Sequence, residues 1–303
     1  MTHRLQHILV GTDFTDASLV AIKTALHLAR RHGARVTVLH VGSGYVHEGG
    51  WPLFMEISWQ QARAEMAQAL KMRLERFVAQ VDTHDVTVEL HVDVGWAPMQ
   101  LVDRAEEWRC DLTVVSAGNT GPVEAFFLGS TAEELVRIAR GDVLIVRDGV
   151  KDVFGHIVVG TDFSPNSDAA VEFARTLALG GESVLDLVHV YKDPGEASIF
   201  TVASDDDRHR YREHLREQKQ AAFDGFLHKH HVERLEHHLL TGRASRALCA
   251  HAAEAHADLI VVGSHGQGRL RDMFLGSTAE KTVRHASSSV AVVRMPVQRE
   301  PSD

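Results

Sequence analysis

Short apolar runs alternate with longer stretches of helical periodicity along the whole chain, and the series occurs twice. In the first half the pattern predicts strands over residues 7–11, 35–41, 86–93, 112–115 and 143–146, with helices between them. In the second half it predicts strands over 157–160, 183–190, 235–240, 259–262 and 290–293. The first helix of that half begins with Ser164 as N-cap and Pro165 in its first turn, and Gly180-Gly181 is expected to close it. Residues 55–80 and 205–230 read as the longest helical segments. The second of these is laced with Arg, Glu and Lys and predicts a solvated face. A β-α-β-α alternation with nearly all-apolar strands predicts a parallel sheet covered on both faces. Five strands per half fit an α/β chain of two tandem doubly wound domains, residues 1–150 and 151–303.

The halves also match in sequence. Gly11-Thr12-Asp13-Phe14 recurs as Gly160-Thr161-Asp162-Phe163 at an offset of 149, each copy behind an apolar run. FLGSTAEELVR over 127–137 recurs as FLGSTAEKTVR over 274–284 at an offset of 147. Two matches at nearly one offset indicate a duplicated domain, far longer than a solenoid repeat. The seam falls in the polar stretch 148–154. The last predicted strand of each half is flat and apolar, and pairing of the two within the chain, as a pseudo-dimer, is the simplest cover for such an edge. A homodimer of chains is a further expectation, because the helix surfaces repeat as well.

Composition narrows the class. At 303 residues, with 44% apolar and 24% charged residues, the chain has the make-up of a globular protein with sizeable cores. It lacks the start of a secretory signal and any apolar run of membrane-spanning length, so a cytoplasmic location is expected. Cys110 and Cys249 are too few for a disulfide framework and read as buried thiols in or beside helical stretches. A formal charge of -9 argues against a general nucleic-acid binder. The 21 histidines include a group at His228, His230, His231, His237 and His238, which has no zinc-finger spacing and reads as pH-sensitive surface charge or a surface metal site.

The chemistry concentrates in residues 262–278, VGSHGQGRLRDMFLGST, where a strand hands over to a helix with the spacing G-x2-G-x9-G-S. Gly263 and Gly266 remove side chains that would keep a ligand from the backbone, and Gly276-Ser277 open a helix with unpaired amides suited to phosphate. Ser277 reads as a hydroxyl donor or a cap, with Thr278 a weaker candidate beside it. Arg269 and Arg271 lie within the span, positioned to fold over phosphates or to stay solvated. If the first and fourth strands flank the switch point of a doubly wound sheet, Asp162 converges on this loop. Asp162 then accepts hydrogen bonds from a sugar or base, holds a phosphate-borne metal, or only caps its turn.

Gly-Thr-Asp-Phe at a strand end, the strand end His189-Val190 and Gly263-Ser264-His265-Gly266 with Gly276-Ser277 together resemble the universal stress protein family, and the resemblance covers both halves. It implies a Rossmann-like fold of the adenine nucleotide alpha hydrolase type with five parallel strands, and dimerisation through the last strand. It also implies binding of an adenine nucleotide, ATP or else ADP or AMP, with or without Mg²⁺. By position, Thr161, Asp162, Val190, Gly263, Ser264, His265, Gly266, Gly276, Ser277 and Thr278 match that site, with Arg269 beside it and Val190 expected to offer its backbone to adenine. A loop-shaping part is expected of His265.

The first half departs from the motif: Ser116 stands at the position of Gly263 and Asn119 at that of Gly266, while Gly118, Gly121, Gly129 and Ser130 remain. One strong nucleotide site, in the second half, is therefore expected, with Asp13 and Val41 as remnants or as parts of a site for another ligand. The chain reads as a regulatory stress-response module whose nucleotide occupancy sets its action on a protein partner still to be identified. The alternative is a slow ATP hydrolase or nucleotidyl-transfer enzyme. The sequence carries no G-x4-G-K-[S/T], G-x-S-x-G or H-E-x-x-H motif to support it, so no catalytic residue is assigned.

Overall fold

The structure is a computed structural model that describes residues 5–42, 56–118, 128–147, 154–178, 183–192, 204–230, 235–266 and 275–295, and only the backbone of residues 56–64 and 235. The chain divides into two compact units, Arg4–Asp152 and Val153–Asp303.

In the N-terminal unit the elements follow as β1 (His7–Thr12), α1 (Asp16–His32), β2 (Arg35–Gly42), α2 (Glu56–Val78), β3 (Val88–Val94), α3 (Ala97–Glu107), β4 (Leu112–Ser116), α4 (Ser130–Ile138) and β5 (Asp142–Val146). The strands pair in parallel in the order β3-β2-β1-β4-β5. The C-terminal unit repeats the series as β6 (His156–Thr161), α5 (Pro165–Leu177), β7 (Val184–Tyr191), α6 (Asp205–Lys229), β8 (Leu235–Thr241), α7 (Ala244–Glu254), β9 (Leu259–Gly263), α8 (Ser277–His285) and β10 (Ser289–Val293), again parallel, in the order β8-β7-β6-β9-β10. The expected strands are all present. β3 begins at Val88 rather than Val86, because the Val86 amide still bonds back to the Thr83 carbonyl in the turn that precedes it.

The apolar strands are apolar because they are covered. Ile157, Val158, Val159, Ile260 and Val261 are each no more than 1% exposed. Burial of this kind contributes about 1.5–3 kcal/mol per large aliphatic side chain. In the C-terminal unit α5 packs on β6, β9 and β10, while α7 packs on β7, β8 and β9 and against α8. Helix ends follow the local chemistry. The Thr15 side chain accepts from the Ser18 amide to start α1, and Gly33 at φ 66° ends it. Ser164 caps α5 in the same way, with Pro165 at its first position; the Gly180-Gly181 stop lies outside the described residues. In α6 only Phe223 and Phe226 are buried, and its polar face carries pairs such as Arg210–Asp207 and Arg208–Asp205, as the charge pattern predicts. Among the described residues no helix is long and apolar enough to cross a membrane.

In each unit the chain winds outward from the first strand to one side and then returns to the other, so β1 and β4, or β6 and β9, flank the switch point. The space beyond their carboxyl ends is where an open parallel sheet holds ligands.

Candidate functional site

Beyond β6 and β9 the C-terminal unit has a cavity of about 450 Å³. Its wall begins with the turn after β6. Phe163 adopts φ 65°, an uncommon conformation for a bulky residue. The Phe163 amide donates to Thr161 Oγ1 at 3.0 Å, and its ring stacks on His189 with centroids 4.2 Å apart. His189 in turn sets its Nδ1 2.8 Å from the Thr161 carbonyl oxygen. Burial holds the His189 pKa below the usual imidazole value, so its ring is a neutral support for the turn.

This turn aims Asp162. Its Oδ1 accepts from the Ser164 amide at 3.1 Å and from Ser167 Oγ at 2.7 Å, so the residue does cap the entry to α5. The other oxygen faces the glycine loop. A Cβ on Gly266 would lie 2.6 Å from Asp162 Oδ2, so the glycine is what lets the carboxylate and the loop share the crevice.

The other two motif glycines have different reasons. A Cβ on Gly263 would meet Asn166 Cβ at 2.9 Å and the Asn166 carbonyl carbon at 3.0 Å, so close packing of β9 against the start of α5 requires the glycine. A Cβ on Gly276 would sit 3.0 Å from the Ser264 carbonyl oxygen, which accepts from the Gly276 amide at 2.7 Å. That bond fastens the start of α8 to the loop. Gly276 is itself the N-cap and offers no side-chain acceptor; Ser277 is the first helical residue and does not cap. The first bond inside the helix runs from the Glu280 amide to the Gly276 carbonyl, which leaves the amides of Ser277, Thr278 and Ala279 without an acceptor in the helix. All three residues line the cavity, where the helix dipole adds partial positive charge.

The structure brings Thr161, Asp162, Val190, Gly263, His265, Gly266, Gly276, Ser277 and Thr278 together around one cavity. Ser264 is scaffold: it is 1% exposed, its amide donates to the Val293 carbonyl at 2.7 Å, and its Oγ lies 3.0 Å from His265 Nδ1. Arg269 and Arg271 lie outside the described residues. The motif does not point to Ser167, Val188, Ala244 and Leu248, which also line the cavity. Ser167, Ala244 and Leu248 have identical counterparts in Ser18, Ala97 and Leu101, so the duplication carried a signal for them.

The N-terminal unit has the corresponding crevice, at about 330 Å³. Phe14 at φ 64° stacks on His40 with centroids 4.1 Å apart, and the Gly129 amide donates to the Ala117 carbonyl at 2.7 Å. Asp13 and Val41 line it, as does Ser116 at the position of Gly263; Asn119 and Gly121 lie outside the described residues.

The described members of the histidine group do not gather. His230 Nε2 is 2.8 Å from Asp168 Oδ1, and Asp168 also accepts from Lys229 Nζ at 2.5 Å. His237 sets its ring edge to face against Phe223, while its neighbour His238 points to the opposite side of β8 beside Asp186. His228 is exposed, and His231 lies outside the described residues. Cys110 is half-buried and unbridged, and burial pushes its thiol up to about 12, which makes it a poor nucleophile at neutral pH.

The sequence profile of the universal stress protein family matches residues 4–147 and again residues 154–294. The chain is 27% identical over 296 residues to a universal stress protein of Mycolicibacterium smegmatis, a match covering 95% of this chain and 96% of that one. It is 32% identical over 130 residues to universal stress protein G of Escherichia coli O157:H7, covering 42% of this chain and 89% of that one. A crystal structure of a universal stress protein from Archaeoglobus fulgidus shares the fold with a TM-score of 0.62 at 20% identity, over 95% of this chain and 96% of that one. Both halves of the polypeptide carry the same domain, and the chain belongs to the universal stress protein family.

Proposed function

We propose that the C-terminal crevice binds an adenine nucleotide, and that occupancy of this site sets the action of the chain as a regulatory module on a protein partner. The observation that carries the reading is the pairing of opposite chemistries across one cavity. Asp162 presents a carboxylate on one wall, and the uncapped amides of Ser277, Thr278 and Ala279 present donors on the other. The carboxylate suits a ribose hydroxyl or an adenine amine, and the amides suit phosphate oxygens. Val190 lines the same cavity at the end of β7, where its backbone meets a base edge. Residues Thr161 and Ser264 shape the turn and the loop, and Arg269, by its place in the motif span of the sequence, is assigned to the phosphates. In the N-terminal crevice Ser116 reduces close approach, so that unit binds adenine nucleotide far more weakly or takes another ligand.

Calorimetric titration of the full chain with ATP, with and without Mg²⁺, is expected to give one nucleotide per chain. Two equal sites would overturn the asymmetry, and no binding at millimolar ATP would overturn the reading itself. Phosphate release followed in the same samples separates a binding module from an enzyme. Turnover of about 1 per second or faster would make the chain a hydrolase.

A further inference from the structure

A second cluster lies in the C-terminal unit toward the opposite ends of the strands from the crevice. Asp186, the third residue of β7, is 2% exposed. Its Oδ2 is 3.0 Å from His156 Nε2, 3.1 Å from His251 Nε2 and 3.8 Å from His238 Nε2. Among the described residues no Lys or Arg pairs with it. A buried carboxylate without a fixed cation is costly unless something compensates its charge. Three imidazoles converge on it, yet Asp186 Oδ1 and His238 Nε2 are both buried with no hydrogen-bond partner.

A carboxylate oxygen and a ring nitrogen left unpaired within one side-chain cluster are what a metal ion would use. One donor atom each from Asp186, His238 and His251 lie within 4.8 Å of one another. A tetrahedral ion with bonds of about 2.0–2.2 Å separates its donors by roughly 3.3–3.6 Å, within reach of small side-chain rotations. The imidazole rings of His238 and His251 already face each other with centroids 4.3 Å apart. Their side chains are 35% and 15% exposed, so the cluster lies close to the surface although the His238 nitrogen itself is covered.

The N-terminal unit supplies an internal control. In the same strand register Thr37 stands for Asp186 and His91 for His238, and on the matching helix Arg104 stands for His251. There His7 Nε2 contacts Thr37 Oγ1 at 2.8 Å, the counterpart of the His156–Asp186 contact, and Arg104 pairs with Asp93 and Glu107. The frame therefore folds without any such cluster. The C-terminal unit differs by a carboxylate in place of a hydroxyl and an imidazole in place of a guanidinium, and both changes introduce a metal ligand.

We propose that Asp186, His238 and His251 form a site for a divalent ion of the zinc class, with His156 holding the Asp186 carboxylate and the fourth position open to water or an external ligand. Two imidazoles and a carboxylate favour this class over calcium or magnesium. The site does not depend on nucleotide binding. It is tested on the full chain, purified without a histidine tag and stripped with chelator, by Zn²⁺ competition against a chromophoric chelator and by Co²⁺ absorption. One tight equivalent per chain is expected, with the visible bands of a four-coordinate nitrogen and oxygen site. His238→Gln and His251→Gln should each weaken it by more than the roughly 10- to 100-fold loss that His156→Gln, which touches only the carboxylate, should cause. His91→Gln should leave it unchanged. Circular dichroism of each variant separates lost binding from lost folding, and the part-exposed His238→Gln carries the test if His251→Gln does not fold. No bound equivalent, or one that survives both first-named variants or falls equally with His91→Gln, overturns the proposal.

Discussion

In both crevices a Thr-Asp-Phe turn closes the first strand on a histidine of the second strand, and a glycine amide ties the fourth helix of the unit to the loop before it. What differs is where the aspartate goes and how much room it leaves. Asp13 Oδ1 accepts from both the amide and the hydroxyl of Thr15, and the residue is exposed; Ser18 Oγ is occupied instead by Thr12 Oγ1 at 2.8 Å. Asp162 Oδ1 is drawn in by Ser167 Oγ and stays half-buried against Gly266. Leu39 fills the wall that Val188 leaves wider, and Ser116 adds the side chain that Gly263 lacks. A duplicated fold thus keeps its turn and helix anchor for structural reasons, while the ligand-facing surface is free to diverge.

Copying features of the N-terminal crevice into the C-terminal one should abolish the difference step by step. Gly266→Asn reproduces the residue that Asn119 supplies in the first half, and its Cβ would displace Asp162 Oδ2. Loss of two phosphate or carboxylate contacts at ~1.5–3 kcal/mol each lowers ATP affinity by about 10² to 10⁴, read by calorimetry. Because Gly266 is exposed, the melting temperature should hardly move. Asp162→Asn keeps an acceptor for Ser164 and Ser167 and removes only the charge and the second acceptor oxygen. It should cost about 10- to 100-fold in affinity and less than about 1 kcal/mol in stability. Unchanged affinity would reduce Asp162 to a helix-entry residue. Val188→Leu, which mimics Leu39, adds one methylene to the wall and should weaken ATP by about 10-fold with fold intact. An unaffected affinity would mean that the bound base does not use that wall.

Much of this was legible in the sequence because duplication gave each position a control. Strand runs such as 259–262 are apolar since both faces are covered, and Gly-Thr-Asp-Phe marks the same strained turn twice. The reasons behind the glycines were less legible. Gly263 answers to Asn166, a contact between β9 and α5 that no local pattern reveals, and Ser277 gave up the cap to Gly276, whose backbone alone fixes the helix start. The histidines were misleading for a related reason: His237 and His238 are neighbours in sequence but lie on opposite faces of β8, while Asp186 and His251, which meet His238, come from β7 and α7.

The histidines behind the two turns give the last contrast. Burial lowers the pKa of both His40 and His189, against smaller raising contributions from the carbonyls of Thr12 and Thr161 and from Asp13 and Asp162; Arg73 and Lys219 act with burial. A histidine whose folded pKa is depressed takes up its proton first in the unfolded chain. Its stabilising contribution is therefore complete above about pH 6.5 and is lost as pH falls from there through the folded value. His189 should contribute more of this slope than His40. It is 5% exposed and its Nε2 is buried without a partner, so a proton there has neither water nor an acceptor, whereas His40 is only half-buried. Thermal or urea unfolding at pH 7.5 and pH 5.5 measures the slope. His189→Asn, though less stable at neutral pH, should flatten it more than His40→Asn does. Equal slopes in the two variants would mean that the buried nitrogen is not what distinguishes the turns, and an unchanged slope in both would remove these histidines from the acid response altogether.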